Sequence, residues 1–202
     1  MKSLPNARLR ATWTWAATSL LLSCTIASAH SGGGEAGGLK SGFLHPITGL
    51  DHVAAMVAVG LWGAFLGSRA TWLLPVIFPM VMAVGGALGV AGVPIPGVET
   101  GIALSAIALG GMIAFAVRPP LWVAGVIVGV FAIFHGHAHG TELPESANAL
   151  AFAIGFVVST GLLHLCGIAF GLLVKWPWGK VAVRVAGGGI AALGACFLTG
   201  VL

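Results

Sequence analysis

The stretch TWLLPVIFPMVMAVGGALGVA, residues 71–91, contains no charged side chain. A helix of this length, rising 1.5 Å per residue, extends about 30 Å, which is the thickness of the hydrocarbon core of a bilayer. Its apolar residues are continuous and do not alternate with polar ones, as they would in a strand of a membrane barrel. The stretch therefore predicts a transmembrane helix, kinked at Pro75 and Pro79.

The composition of the whole chain also indicates a membrane protein. Of its 202 residues, 58% are hydrophobic and 7% are charged, and the mean hydropathy is +1.04. Soluble domains carry about 25% charged residues, so this composition excludes a soluble enzyme and a disordered protein. The formal charge of +4 arises from bases that are scattered singly. This scattering excludes a nucleic-acid binder, because such proteins cluster their Lys and Arg residues.

Six apolar segments follow one another after residue 43. Each is long enough to cross the hydrocarbon core as a helix, and short breaks with turn residues separate them. The sequence predicts an all-α fold, a polytopic membrane helix bundle of six transmembrane helices that form one domain, residues 44–202. The predicted spans are Leu44–Leu66, Thr71–Ala91, Val98–Val117, Leu121–His139, Ser146–Val174 and Lys180–Leu202.

Residues 1–29 have the order of a secretory signal peptide. Basic residues up to Arg10 precede an apolar core, Ala11–Leu22, and the small residues Ala27-Ser28-Ala29 form a cleavage site. The alternative is an uncleaved first helix, but a core of about a dozen residues is short for a span.

Cleavage after Ala29 makes His30 the first residue of an exported, Gly-rich tail, residues 30–43. A terminal histidine offers an amine and an imidazole, which together can chelate a divalent metal. His30 is therefore a candidate for metal capture. The alternative is a linker-like tail without a ligand.

The charged residues of the loops predict the orientation of the bundle. Basic residues lie in the first, third and fifth loops, and acidic residues lie at the second and fourth. The positive-inside rule places the basic loops in the cytoplasm, so both termini face the outside, as an exported N-terminus requires. The basic residues are Arg69, Arg118, Lys175 and Lys180, and the acidic ones are Glu99, Glu142 and Glu145.

Glycine is abundant, at 32 residues, and recurs at a spacing of four within the spans. Small residues at this spacing lie on one face of a helix and let two helix backbones approach closely. The glycines therefore predict helix packing rather than chemistry. The pairs are Gly63/Gly67, Gly85/Gly89, Gly125/Gly129 and Gly167/Gly171.

Polar residues at the outer end of the first span, in the string HPITGLDH, form the first candidate site. In a continuous helix, His45 and His52 are seven residues apart and share one face, which Met56 continues one turn deeper. Asp51 would lie about 10 Å inside the bilayer. An ionised carboxylate costs about 2–3 kcal/mol there, so it should have a partner or face a wet cavity. Met56 is expected to pack rather than bind a metal.

The second candidate site, in the string FHGHAHGTE, closes the fourth span at the same side. His135, His139 and Glu142 are spaced i, i+4 and i+7 and share a face if the helix persists. His137 points the opposite way unless a glycine bends the chain. An isolated interfacial histidine usually has a structural role. Three histidines within five residues, matched by an Asp-His pair on another span, favour a metal site to which all three contribute.

The ligand types narrow the choice of metal. Imidazole with carboxylate suits nickel, cobalt, zinc, iron or copper(II), and the lack of a thiolate cluster disfavours copper(I). Magnesium and calcium prefer oxygen ligands. The residues do not choose between nickel, cobalt and zinc.

One further histidine, His164, lies deep in the fifth span. It is either a second station along an ion path or a hydrogen-bonded core residue, with Thr160, one turn away, as a candidate partner. Glu99, at the outer start of the third span, is near enough to join a site, but it is also a normal acid for the first turn of a helix.

Two motifs resemble those of the HupE/UreJ family: His45-Pro46…Gly49…Asp51-His52 and Phe134-His135-Gly136-His137-Ala138-His139-Gly140…Glu142. The signal peptide and six later spans are similar too. That family comprises membrane proteins linked to hydrogenase and urease maturation and regarded as nickel or cobalt permeases. The resemblance implies a bacterial inner-membrane protein with such a link. It also implies that metal recognition involves His45, Asp51, His52, His135, His139 and Glu142.

We therefore expect a secondary importer of a divalent transition metal, nickel first and cobalt second, and not an enzyme. The chain contains no GxxxxGK[S/T] string and so has no Walker-type ATP site of its own. The expected partners are the metal ion and the lipid bilayer, without nucleic acid. No cofactor is expected beyond the transported Ni²⁺ or Co²⁺.

Three alternatives remain open at this point. An intramembrane His-rich metalloenzyme is disfavoured because no His-Glu-x-x-His string occurs. A haem protein with two axial histidines would show a Soret band. A metal-binding accessory protein would bind the ion without transporting it.

Overall fold

The structure is a computed structural model that describes residues 38–143 and 148–201. Every regular element in these two ranges is a helix, which confirms the all-α prediction. The predicted signal peptide, its cleavage site, His30 and Glu145 lie outside the described residues. The helices are α1 (Leu39–Thr48), α2 (Leu50–Leu66), α3 (Ser68–Val90), α4 (Val98–Ala114), α5 (Leu121–Glu142), α6 (Ala149–Gly171), followed by a 3-10 turn (Leu172–Lys175), and α7 (Pro177–Leu198).

The first predicted span, Leu44–Leu66, is not one continuous helix. Helix α1 begins at Leu39, within the predicted tail, and α2 leaves it at an angle of 83° after a break at Gly49. The prediction that His45 and His52 share one helical face is therefore wrong, because they belong to two different helices.

Local hydrogen bonding explains where α1 ends. Pro46 contributes no backbone N–H to the helix, and the Thr48 hydroxyl donates to the carbonyl of His45 at 3.0 Å. Gly49 then adopts an extended conformation, with φ −89° and ψ 114°. A side-chain hydroxyl thus satisfies a carbonyl near the end of the helix, where the backbone changes direction.

Packing against α6 holds α1 in this bent position. A methyl group at Gly42 would overlap the carbonyl of Phe152, and one at Gly155 would overlap the carbonyl of Leu39. The backbones of α1 and α6 are therefore in direct contact, as small residues allow between membrane helices.

The described chain has the features of a multi-pass membrane protein. By length and composition, helices at Arg69–Val90, Leu121–Glu142, Ala149–Lys175 and Pro177–Leu198 can cross a membrane, and the bent pair α1–α2 is a fifth candidate when counted as one span. Helix α4 is apolar but has only 17 residues. Large apolar side chains such as Met80 and Trp122 face outward, with 67% and 73% exposure. That the chain crosses the membrane six times stays a prediction.

Helix α2 is the central helix of the bundle. Most of its residues from Ala54 to Phe65 are buried, and it contacts α1, α3, α4, α6 and α7. A helix that is apolar on every side is typical of such a position. The first turn of α2, which carries Asp51 and His52, is therefore positioned by several neighbouring helices.

The predicted glycine contacts are confirmed at two of the pairs. A methyl group at Gly85 or Gly89 would overlap the backbone of α5, and one at Gly167 or Gly171 would overlap α2. Gly67 differs, because it lies at φ +104° in the turn between α2 and α3. Side chains other than glycine rarely adopt that conformation.

Two arginines lie at the end of the bundle opposite His52. The guanidinium of Arg118 lies over the ring of Phe65, 4.5 Å from its centroid, and Arg184 donates to the carbonyl of Ala114 at 2.7 Å. Phe65 and Ala114 are at the C-terminal ends of α2 and α4. Because His52 is in the first turn of α2, the arginines and this histidine lie at opposite ends of the central helix.

Candidate metal centre

Three imidazoles from three different helices meet near the start of α2. They belong to His45 of α1, His52 of α2 and His139 of α5, and one ring nitrogen of each lies within 4.8 Å of the other two. The ring centroid of His139 is 4.8 Å from that of His45 and 4.5 Å from that of His52. Imidazole binds metals such as zinc at about 2.0–2.1 Å. Small ring rotations would bring all three nitrogens onto one ion. We call His45, His52 and His139 the histidine cluster.

The bend at Gly49 joins the two histidine motifs in one place. It returns α1 towards α2, so that the ring centroids of His45 and His52 are 5.9 Å apart. Spacing along the chain left open whether the two motifs form one site. Within the described residues, they meet at the histidine cluster.

Two carboxylates lie beside the cluster. Asp51 Oδ1 is 2.8 Å from Nδ1 of His52, and Glu142 Oε2 is 3.7 Å from Nε2 of His45. The expectation that Asp51 has a partner is confirmed, and the partner is its own neighbour in sequence. A methyl group at Gly49 would come within 2.8 Å of that Asp51 oxygen. Glycine at this position therefore leaves room for the Asp51–His52 pair.

Ring nitrogens of His52 and His139 lack a hydrogen-bond partner among the described residues. Both ring nitrogens of His139 and Nε2 of His52 are buried, and neither side chain bonds to another described residue through them. Buried polar atoms in proteins are paired in the great majority of cases. Coordination of a metal ion would supply the missing partner for one nitrogen of each ring, since a neutral imidazole has one nitrogen with a free lone pair.

Aromatic side chains form the wall of the cluster towards α6. The ring of Phe156 is 4.5 Å from that of His139, and the ring of Phe152 is 5.8 Å from that of His45. A groove of about 270 Å³ between α3, α5 and α6 reaches His139. These rings lower the polarity around the imidazoles, which strengthens electrostatic attraction between an ion and its ligands.

His135 lies one turn deeper on α5 than His139, on the same face, because α5 continues to Glu142. Its ring centroid is 5.4 Å from that of His52, and Nε2 is 3.0 Å from the hydroxyl of Ser105. That hydroxyl donates to the carbonyl of Ile102 at 2.6 Å. With its hydrogen on Ile102, the hydroxyl accepts from Nε2 of His135, so Nδ1 carries the lone pair and has no partner among the described residues.

Ser105 is a residue of the site that the sequence analysis missed. It is fully buried in α4, and it fixes the tautomer and ring orientation of His135 as outer-shell partners of metal-binding histidines do. The available signal was a hydroxyl group in an otherwise apolar span.

His137 does not join the histidine cluster. Its Nε2 lies 2.7 Å from the carbonyl of Val93, on the side of α5 that faces the end of α3. The glycines of this motif do not bend the helix to redirect it. Instead, a methyl group at Gly136 or Gly140 would overlap the carbonyl of Met82 or Gly86, so these glycines let α5 approach α3.

Three other candidates lie apart from the cluster. Glu99 is exposed in the first turn of α4. Met56 is fully buried in the hydrophobic core, as expected for a packing residue. His164 is buried in α6, where its ring contacts Phe78.

The sequence of the chain is similar to that of a known protein family and of one of its members. A family model described as HupE / UreJ protein matches residues 18–197. Protein HupE of Rhizobium leguminosarum bv. viciae is 48% identical over 176 residues, which cover 87% of this chain and 92% of that protein. No solved structure matches the chain.

Proposed function

The chain belongs to the HupE/UreJ family, and from this membership we propose that it is a secondary transporter that imports Ni²⁺, with Co²⁺ as the second choice, across the bacterial inner membrane. The ion is the substrate, and the proposal includes no resident cofactor and no catalysed reaction. The resemblance to the family also implies that the imported ion serves the maturation of hydrogenase or urease.

The convergence of His45, His52 and His139 is the observation that supports this proposal. An ion entering a membrane must exchange its water ligands for protein ligands. Three imidazoles provide nitrogen ligands of the type that suits nickel and cobalt. The carboxylates of Asp51 and Glu142 offset the positive charge, which makes entry into a region of low polarity less unfavourable.

The ligands come from separate helices, and this distribution suits transport. Helices α1, α2 and α5 each contribute one imidazole, so a relative movement of the helices would change the ligand set. Carriers bind substrate between helices that move against one another. His30, the first residue after the predicted cleavage site, would assist capture with its amine and imidazole.

The membrane potential would drive uptake. Two charges moving across 100 mV gain about 4.6 kcal/mol. We propose that the cluster faces the outside and that Arg118 and Arg184, at the opposite end of the bundle, face the cytoplasm, as the positive-inside rule favours. The proposal counts α4 as a sixth span, since 17 residues extend about 25 Å, at the short limit for crossing a bilayer.

Uptake of radiolabelled nickel tests the proposal. Cells that produce the protein should accumulate nickel above cells with an empty vector, and unlabelled cobalt should compete better than unlabelled zinc. Metal binding by the purified protein without uptake would favour the accessory protein instead. A Soret band in that preparation would favour the haem protein.

Replacing Ser105 with alanine should lower the affinity for Ni²⁺ about tenfold, the lower end of the range for losing an outer-shell partner. Nε2 of His135 would lose its acceptor, and the ring would no longer be held in one orientation. Isothermal titration of purified protein measures the affinity. In a His135→Ala background the same replacement should have no further effect. An equal loss in both backgrounds would assign Ser105 to helix packing alone.

A further inference from the structure

Three polar side chains are buried in α6, which is otherwise an apolar helix. Ser159 and Thr160 have no exposed surface, and His164 is 2% exposed. The two hydroxyl groups and Nε2 of His164 have no hydrogen-bond partner in the part of the chain that the structure describes. Since buried polar atoms nearly always have a partner, three such atoms within residues 159–164 make this segment of α6 a candidate binding site.

Thr160 and His164 follow Phe156 along one side of α6, at increasing distance from the histidine cluster. Phe156, four residues before Thr160, packs on His139 with a ring distance of 4.5 Å. Residues at i, i+4 and i+8 share a helix face, so Phe156, Thr160 and His164 follow one another along one side of α6. At 1.5 Å per residue, His164 lies about 12 Å further along the helix than Phe156.

The ring of Phe78 contacts both His164 and His135, the histidine one turn deeper on α5 than His139. Its centroid is 5.6 Å from the ring of His135 and 5.6 Å from that of His164. His135 in turn contacts His52. The ring of Phe78 therefore connects His164, through His135, to the histidine cluster.

Helix α3 lies beside the imidazole of His164. The ring lies next to the backbone of Pro75. The carbonyl of Pro75 lacks a helical donor, because the residue four positions later is Pro79 and has no N–H. When Nδ1 donates to this carbonyl, Nε2 keeps its lone pair, and Nε2 has no partner among the described residues. A neutral imidazole with such a lone pair is a common metal ligand.

We propose that His164 and Thr160, with Ser159 beside them, form an inner binding station for the same divalent transition-metal cation. The inference rests on the proposed transport function. One imidazole and neutral hydroxyl groups bind such an ion more weakly than three imidazoles with two carboxylates. The cluster therefore captures the ion, and the inner station passes it towards the end of the bundle that carries the arginines.

The test compares wild type with His164→Leu in two assays on the full chain. One measures equilibrium binding of Ni²⁺ in detergent, and the other measures uptake of radiolabelled nickel into vesicles that contain the protein. Leucine fills the site but cannot bind a metal. We expect the affinity of the histidine cluster to be unchanged and the uptake rate to fall about tenfold or more, the scale seen when an interaction around a metal is lost.

Two further variants keep the test valid if leucine disturbs folding. His164→Gln retains a donor for the carbonyl of Pro75 but is a poorer ligand, so it should fold normally and also lose uptake. Thr160→Val should lower uptake, whereas the matched control Thr71→Val should not. Thr71 is also buried, but its hydroxyl already donates to the carbonyl of Gly63.

The outcomes separate this inference from the proposed function. Wild-type uptake by folded His164→Leu and His164→Gln would overturn the inner station and leave the transporter intact. Parallel loss of binding and uptake would also overturn it, because His164 would then support the cluster itself. Absence of uptake by wild type would overturn the transport function on which the station depends.

Discussion

Replacing His52 with alanine is expected to lower the affinity for Ni²⁺ by more than about 100-fold, because outer-shell partners alone are worth 10–100-fold. Uptake should fall to the background of cells without the protein. His52 is the central ring of the site, with centroids 5.9 Å from His45, 5.4 Å from His135 and 4.5 Å from His139. Its loss also leaves the carboxylate of Asp51 without the ring that lies 2.8 Å away.

Titration of purified protein and nickel uptake should be measured side by side for this variant. Met56→Leu is the matched control, since Met56 lies one turn further along α2, is fully buried and exchanges with leucine at nearly constant volume. It should bind and transport as wild type does. Unchanged affinity in a folded His52→Ala protein would contradict the histidine cluster as the binding site. A loss in Met56→Leu as large as that in His52→Ala would indicate a general disturbance of α2.

Replacing Gly167 with alanine should lower the free energy of unfolding by about 1–3 kcal/mol, the usual range for overpacking. The added methyl group would overlap the carbonyl of Val57 and come within 2.8 Å of the backbone nitrogen of Leu61. Helix α2 would have to move away from α6. Since α2 carries His52, the affinity for Ni²⁺ should fall together with the stability.

Gly161→Ala is the matched control, because Gly161 lies on the same helix and an added methyl group would meet nothing within 4 Å. Its stability should equal or exceed that of wild type, since alanine favours a helix more than glycine does. Thermal unfolding in detergent compares the two variants directly. Equal unfolding temperatures would contradict the close contact between α2 and α6.

Hydropathy predicted most of the helices, because a membrane helix satisfies its backbone hydrogen bonds internally and needs no partner to form. The predicted span Thr71–Ala91 corresponds to α3 (Ser68–Val90), and Leu121–His139 corresponds to α5 (Leu121–Glu142). The prediction failed at Leu44–Leu66, where apolar residues continue through a bend. Average hydropathy is insensitive to a single glycine, so it could not detect the break at Gly49.

The types of candidate ligand could also be predicted, because histidine and aspartate are rare inside apolar sequence. Which of these side chains meet in one site could not be predicted. Helical spacing placed His135 and His139 on one face of α5 and His137 on another, and the structure has this arrangement. It gave no information on Ser105, whose contact with His135 crosses from α4 to α5.

Residue order therefore specified most of the helices, the small residues at their contacts and the faces of α5. The meeting of His45, His52 and His139 depended on long-range packing. Periodicity relates residues a few positions apart on one helix, whereas these three belong to different helices. The direct backbone contact of α1 with α6 at Gly42 and Gly155 keeps α1 bent at 83° from α2, and this bend brings the first imidazole over the other two.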